Sequence, residues 1–404
     1  MTLKKNDFNK YMSTKGYDYL PEVKLNESKS NTLFVGSSIM GHMDLLDDNN
    51  CFKYVTEQRI FTSKRFSDIG KYPLATPFEV MLSIICQEHG GFSSSLSDIL
   101  SFLIDKIKLA KDRIIFLAPK SSEIMSEIVS IGISDNNIIN WEKDLPLYLN
   151  DNNKGTYVKL FYPYNNGLMP IGTIGIIKKN SNEFIDSALF LERLSFMEAG
   201  KNDWFEDRYF ENAIKYLKKS FSIKESRILA INIRAFLILY EDGLRIENNS
   251  AGYILKKMLR VMLSELDILN ISTIKINSII SFSSKDLELL GYSVSQVTRE
   301  ILFKDLIREI NKYNTNQIRA LNKLNKINGK GKITSDNLLK LHEENGLSIA
   351  TTKKWASDNG IALPVNIFDK NNKFWLRNEL YKFSNDKNNV DPRKTLYLAG
   401  RKRL

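Results

Sequence analysis

The stretch Arg227–Leu263, RILAINIRAFLILYEDGLRIENNSAGYILKKMLRVML, limits the fold most tightly. Ile228, Leu229, Ile231, Ile233, Phe236, Leu237 and Leu239 recur at mixed helical spacings, which predicts a helix buried on most sides and closed near Gly243. A polar loop holding Asn248, Asn249 and Ser250 follows. From Gly252 a second helical run sets Leu255, Met258, Leu259 and Met262 on one face and Lys256, Lys257 and Arg260 on another. The pattern predicts a helix hairpin with an amide-rich tip and a basic flank. Such a tip can offer donors and acceptors to base edges while the lysines meet phosphates. Spacing alone favours the plainer alternative, a hairpin with solvated lysines.

The order of the residues says more than their spacing. Arg234-Ala235, Asp242-Gly243, Asn248 and Gly252-Tyr253-Ile254-Leu255-Lys256-Lys257 succeed one another in a way that resembles the tRNA-recognition domain of alanyl-tRNA synthetases. The resemblance implies a tRNA acceptor stem, that of alanine tRNA in the family, as partner, rather than DNA. It implies that Asn248 reads the wobble pair of that stem, with Arg234, Lys256, Lys257 and Arg260 on the backbone. The family's acidic partner of Asn248 falls here on Thr334, with Asp336 two places on, and its loop arginine before Gly252 is Ala251.

Bulk properties agree with a nucleic-acid partner without naming one. The 404 residues, 43% of them hydrophobic, suffice for two or more packed domains. A net charge of +11 favours a polyanion but gives only non-specific attraction. No apolar run reaches membrane-spanning length, and MTLKKNDFNKYM lacks the apolar core of a secretory signal, so the expectation is a cytoplasmic protein with no membrane contact. Cys51 and Cys86 are too few for a disulfide framework, and His42, His89 and His342 are not clustered for zinc.

Along the chain, a helix is expected over Phe8–Thr14 and strands over Thr32–Val35 and Phe52–Val55. Arg59, Lys64 and Arg65 then either face phosphates from a loop or guard a hairpin edge with charge. The span 96–110 reads as a helix, Arg113–Leu117 as a strand and Ser122–Val129 as a helix. Tyr157–Tyr162 and Ile171–Ile177 are β-rich runs parted by Asn165-Asn166-Gly167. The class is α+β, a sheet covered by helices on one side. From Asp203 the pattern turns helical, through Trp204–Phe221, the hairpin and Gln296–Ile327, to a hinge at Asn328-Gly329-Lys330-Gly331-Lys332. The expected domains are therefore 1–202, 203–364 and a basic extension, 365–404, ending in Arg401-Lys402-Arg403.

The resemblance also covers the first part of the chain. FNKYMSTKG and NTLFVGSSIMGHM look like the opening helix and first motif of a class II synthetase, Thr76–Met81 like the strand of the second, and Asp186-Ser187-Ala188-Leu189-Phe190-Leu191-Glu192-Arg193-Leu194 like the third. With gaps, it runs from about Phe8 to about Leu363. It implies a class II antiparallel sheet flanked by helices, followed by an all-helical tRNA-recognition domain. It implies ATP with Mg2+ as cofactor, Asp186 holding the amino acid's α-amino group, Arg193 against adenine and phosphates, and Phe78 stacking on adenine. Fixed cations are what such chemistry needs where charge builds on the α-phosphate.

This chain departs from the family at that place. Ala188 and Phe190 replace the two turn glycines, and Tyr72-Pro73-Leu74-Ala75 stands where an Arg-His-His run is expected, leaving Arg65 or Lys71 as substitutes. A pocket tryptophan is matched by Gly172, a Gly-Pro-Cys repeat by 152–157, and the histidine-rich editing domain and the dimerisation domain find no counterpart. Recognition residues thus outlast phosphate-binding ones. The expectation is a tRNA or aminoacyl-tRNA binder with ATP-dependent activation weakened or lost. Such a binder could serve with other proteins of a specialised pathway; the alternatives are an active alanine-tRNA ligase-like enzyme lacking editing, and a non-catalytic protein-interaction scaffold that has lost RNA binding as well.

Overall fold

The structure, a computed structural model, describes residues 3–64, 66–70, 72, 74–88, 91–141, 145–149, 154–165, 167–179, 182–266, 273–329 and 333–363. Arg65, Lys71, His89, positions 330–332 of the expected hinge and the 365–404 extension lie outside the described residues. Among the described residues, every strand precedes Leu191 and only helical elements follow it. No described helix is long and apolar enough to cross a membrane.

The strands are β1 (Asp18–Tyr19), β2 (Phe52–Phe61), β3 (Phe78–Gln87), β4 (Ile115–Pro119), β5 (Ile138–Trp141), β6 (Pro146–Tyr148), β7 (Lys154–Tyr164), β8 (Gly167–Lys179) and β9 (Asn182–Phe190). They form one sheet in the order β1-β2-β3-β9-β8-β7-β4-β5, with β6 added to β7. Pairing is antiparallel except at β1–β2 and β4–β5. The α+β class and the helix-flanked class II type of sheet are therefore as expected.

Side chains alternate across a strand, so the register decides which residues share a face. Val80, Leu82, Ile84, Ile185 and Leu189 point into the main core. Helices α1 (Asp7–Ser13), α3 (Gly91–Asp105) and α7 (Ile223–Glu241) supply the other half of that core through Phe8, Phe92, Leu96 and Ile228. Met81 opposite Phe190, Ile85 opposite Asp186, and Thr173 opposite both Ala188 and Lys159 lie on the other face. A short helix, α2 (Ser38–Gly41), lies there, its Ser38 Oγ 2.6 Å from Ser83 Oγ.

Several local expectations are corrected. Thr32–Val35 forms no strand; the chain bends there with Leu33 exposed before entering α2. β2 runs past Val55 to Phe61, so Arg59 lies within a strand between β1 and β3. Its guanidinium is buried, with Nε 2.9 Å from Glu22 and Nη1 2.9 Å from Asp242, and neither faces phosphate nor guards an edge. The helix expected over 96–110 starts earlier and stops at Asp105, beyond which Lys108 adopts a positive φ of 62°. Trp204–Phe221 is a single 3-10 turn at Trp204–Glu206 and a shorter α6 (Glu211–Leu217). In the first half, α4 (Ser122–Ser130) sits where expected.

The second half begins with α5 (Leu191–Glu198), leading directly out of β9. α7 opens with a capping box between Ser222 and Glu225, and most of its residues are buried. α8 (Ser250–Glu265) returns beside it, as the hairpin expectation required. α9 (Thr273–Leu289), whose serine-rich sequence carries a weak apolar pattern, packs on α6 and α7. α10 (Gln296–Asn328) leaves this core and ends in a smaller one, where Ala320 and Leu324 meet Leu338 and Leu341 of α11 (Ser335–Asn345) and Trp355 of α12 (Ile349–Asp358).

One buried cation joins the halves. Arg234 of α7 is 3% exposed; its Nη2 lies 2.5 Å from Glu192 Oε1 of α5, and its guanidinium carbon 5.1 Å and 4.7 Å from the rings of Phe78 and Phe210. Glu192 Oε2 accepts from the Val80 N–H at 3.0 Å. Burial pushes the Glu192, Asp207 and Asp286 carboxyls upward, and Arg234 pulls each of them back. Removing only the cation leaves buried carboxylates uncompensated. Arg234→Met is expected to lower stability by about 3–5 kcal/mol in urea unfolding, and adding Glu192→Gln to restore part of the loss.

Candidate functional site

The last residues of β9 and the first turn of α5 place Asp186, Ala188, Phe190 and Arg193 at one sheet face. Arg193 is buried and held as a fork: Nε and Nη2 donate to the two carboxylate oxygens of Glu79 at 2.8 and 2.7 Å, and Nη1 donates to the Pro170 carbonyl at 3.0 Å. The Phe190 ring lies 3.7 Å from its guanidinium carbon. The planar face that a base could stack on carries a phenyl ring of the same chain. Phe78 is buried on the opposite side of the sheet, with Arg234 over its ring. Ile60, Met81 and Ala188 form a small apolar cluster against Phe190.

Asp186 lies four residues before Phe190 on the same face, opposite Ile85 and Gly175. It is 7% exposed, and its Oδ1 has no hydrogen-bond partner among the described residues. Burial pushes its carboxyl up to about 7, against the pull of the Ser37 hydroxyl and the Ile39 backbone N–H. Gly172 is turned to the other side: a Cβ there would come within 2.6 Å of Leu189 and 2.9 Å of the Ala188 carbonyl. No side chain at 172 can line the Asp186 face. The residues that line it from β8 and β7 are Thr173 and Lys159, which the motifs did not mark. Their signal was period-two alternation, since Lys159 interrupts the run Tyr157–Tyr162.

The hairpin tip is exposed, with Asn248, Asn249 and Ser250 all open to solvent. Its shape is fixed from inside. The Tyr240 hydroxyl accepts from the Ile246 N–H at 3.2 Å and donates to Asp305 at 3.0 Å, and Arg245 donates to the Tyr240 carbonyl at 2.7 Å. Gly252 is needed by close approach: a Cβ would stand 2.6 Å from Glu247 Cβ and 2.8 Å from the Arg245 carbonyl.

Two of the expected backbone contacts are internal instead. Arg234 is buried at the joint described above, away from any surface ligand. Lys256 is 7% exposed, its Nζ donating to Asn248 Oδ1 at 2.7 Å and lying 3.7 Å from Glu309. Burial pulls its amine below the ordinary lysine range; Glu309 opposes this, while Lys312 and Arg260 add to it. Lys256 thus braces the tip from beneath. Lys257, half-buried, and Arg260 and Lys312, exposed, are the cations left at the surface nearby. Thr334, the match to an acidic partner of Asn248, caps α11 by accepting from the Asn337 N–H at 3.3 Å. Among the described residues no three His, Cys, Asp or Glu side chains gather as a metal site.

These features define a class. The family described as "tRNA synthetases class II (A)" matches residues 121–391, more than half of the chain, and the chain belongs to it. Its curated relatives are alanine–tRNA ligases. That of Bifidobacterium longum is 23% identical over 201 residues, covering 46% of this chain and 22% of the relative. That of Endomicrobium trichonymphae is 27% identical over 218 residues, covering 48% and 24%. The chain thus spans about a quarter of the length of the curated relatives it matches. Among solved structures, apo histidyl-tRNA synthetase of S. aureus aligns over 48% of this chain and 65% of its own at 12% identity, with a TM-score of 0.33, too low to carry an argument.

The raised carboxyl of Asp186 has a pH signature. A folded-state value near 7 against the ordinary 3.8 means that the folded chain binds the extra proton between these values. Stability therefore falls as pH rises through that window. Asp186→Asn is expected to exceed the wild type in melting temperature above pH 7 and to lose that advantage by pH 4. Comparing the two proteins cancels the contribution of Glu57, whose buried carboxyl is also pushed up to about 7.

Proposed function

We propose that this chain is an alanyl-tRNA synthetase-like protein that binds tRNA or aminoacyl-tRNA, with ATP-dependent amino acid activation weakened or lost. The observation that carries this reading is the occupancy of Arg193. Its donors are directed at Glu79 and Pro170, and its face at Phe190. An ATP molecule using that guanidinium would have to displace both a bidentate carboxylate and a ring. Among the described residues, those around it do not fit a triphosphate, since an apolar cluster of Ile60, Met81 and Ala188 packs against the same Phe190 ring; in sequence, Tyr72-Pro73-Leu74-Ala75 carries no cation where the family's Arg-His-His run is expected. Losing one fixed donor of this type costs roughly a hundred- to a thousandfold in rate.

The RNA side is better kept. The tip carrying Asn248 is exposed and braced, and Lys257, Arg260 and Lys312 stand on the helices beside it. With its carbonyl oxygen engaged by Lys256, Asn248 has its NH2 group left to meet a base edge. An acceptor stem is the partner that this arrangement and the family support, and the cytoplasm the setting. Which tRNA is bound is fixed by the pair that Asn248 faces.

Two measurements test the reading. Amino acid-dependent exchange of labelled pyrophosphate into ATP is expected at background; robust exchange that Arg193→Ala abolishes would establish an active ligase instead. In gel shifts the chain is expected to prefer tRNA over random RNA and to lose that preference with Asn248→Ala. Lys257→Ala and Arg260→Ala should each reduce the slope of log affinity against log salt by about one, without changing which tRNA is preferred. Equal affinity for random RNA would leave the protein-scaffold reading.

A further inference from the structure

The part of α10 that leaves the main core carries charge of one sign. In the part that stays, charges are balanced: Asp305 lies 2.8 Å from Arg308 Nη1, and Glu309 lies 3.5 Å from Arg308 Nε and 3.7 Å from Lys256. Beyond Glu309 no acidic residue occurs until Asp336, while Lys312, Arg319, Lys323 and Lys326 follow at spacings of seven, four and three residues. At about 100° per residue these four fall within an arc of roughly 60°, on the side away from the buried Ile310, Gln317, Ala320 and Leu324. All four are exposed, as are Thr315 and Asn322 beside them. With a rise of about 1.5 Å per residue the row is roughly 20 Å long.

A solvated helix face is the ordinary reading of such a run, and Lys326 suits it, because a cation in the last turn meets the negative end of the helix dipole. The other three gain nothing of that kind. Like charges four residues apart, as at Arg308 and Lys312 or Arg319 and Lys323, repel along a helix, and a face built only for solubility mixes the signs. The neighbouring helix leaves the charge standing. Lys323 Nζ donates to the neutral Asn345 Oδ1 at 3.1 Å, while Glu344 of α11 lies 3.8 Å from Lys340. Among the described residues no carboxylate pairs with Lys312, Arg319, Lys323 or Lys326. The row also starts at the hairpin tip: Lys256 donates to Asn248 at 2.7 Å, and Lys312 and Arg260 both depress its amine. From there it leads away from the main core, since Ile310 packs in that core and Ala320 and Leu324 in the smaller one.

We propose that the exposed side of α10 is a rail for the phosphate backbone of a double-stranded RNA stem, running on from the base pair that meets Asn248. Spaced cations on one rigid helix match a repeating polyanion. A protein partner would require aromatic or apolar anchors among the charges, whereas Thr315 and Asn322 stand beside them and the exposed Ile318 lies roughly 110° round the helix from their midpoint. Contacts to the backbone fix position without reading sequence. The proposal deepens the preceding reading, on which it rests for the polyanion being RNA, and adds a contact that lengthens with the stem. Preference then resides in the tip, and affinity in the length of duplex beyond it.

The test measures, by fluorescence anisotropy over a salt series, the binding of the full chain to random-sequence RNA hairpins whose stems lengthen from a few base pairs to beyond the length of α10. Affinity and the steepness of log affinity against log salt are expected to rise with stem length. Arg319→Gln, Lys323→Gln and Lys326→Gln combined should remove most of that rise and reduce the steepness on the longest stem by about two to three. Lys215→Gln, Lys218→Gln and Lys219→Gln combined remove the same charge from exposed positions in and just after α6, and should change neither. Binding independent of stem length, an equal loss in the α6 variant, an undiminished steepness in the α10 variant, or the same length dependence with unpaired RNA would each overturn the proposal. Random stems present no fixed pair to Asn248, so the preference for tRNA that Asn248→Ala probes can fail while the rail stands, and the reverse.

Discussion

A guanidinium buried between sheet and helices is the constraint on which the remaining arrangement depends. Arg234 is nearly fully covered, and a cation in that position is tolerable only because Glu192 meets it directly and Asp207 and Asp286 lie close enough to be pulled down by it. Each of these carboxylates has a second duty. Glu192 accepts from the backbone of β3, Asp286 from the Asn212 and Ala213 N–H groups that open α6, and Asp207 from Tyr209 and Ser195. The charge of Arg234 therefore fixes where α5, α6 and α9 meet α7. Because α7 carries the hairpin tip at its far end, the same contacts set how the tip stands relative to the sheet.

Arginine thus occupies two sites that sequence cannot tell apart by type. Arg193 and Arg234 both belong to family-like motifs, and both side chains are turned inward. The guanidinium is well suited to this, since its planar fork satisfies a carboxylate in two places and its faces accept rings. Arg193 uses both properties on Glu79 and Phe190, which are parts of the protein itself.

Much of the fold was legible because its signals were local. The buried helix α7, the long α10 and the β7–β8 hairpin around Asn165 each announce themselves through periodicity or turn residues, whereas the β9-to-α5 transition was visible only through the family resemblance of Asp186–Leu194. What sequence did not show were the partners of charges. Arg59 reads as a loop cation because it follows a short apolar run, yet Glu22 and Asp242, distant in sequence on both sides, draw it into the strand. Lys256 reads as part of a basic flank, but Asn248 and Glu309 of a helix that comes later in the chain turn it inward. α9 was missed for the converse reason: Ser283, Ser284 and Asp286 are buried in it, so its inner face carries polar groups that dilute the apolar period.

The site face shows how a period of two can give neighbouring positions of one strand different surroundings. Asp186, Ala188 and Phe190 are successive inward positions of one strand, about 7 Å apart from each to the next. Only the last sits beside Arg193, so a ring at 190 fills the guanidinium's face while Asp186 lies four residues away along the strand. The side chains at 188 and 190 are therefore not equivalent. Ala188 adds a methyl group beside Thr173 and keeps that row low; Phe190 covers a cation. A strand of alternating residues can in this way fill one row of a face with a ring and leave the neighbouring rows low.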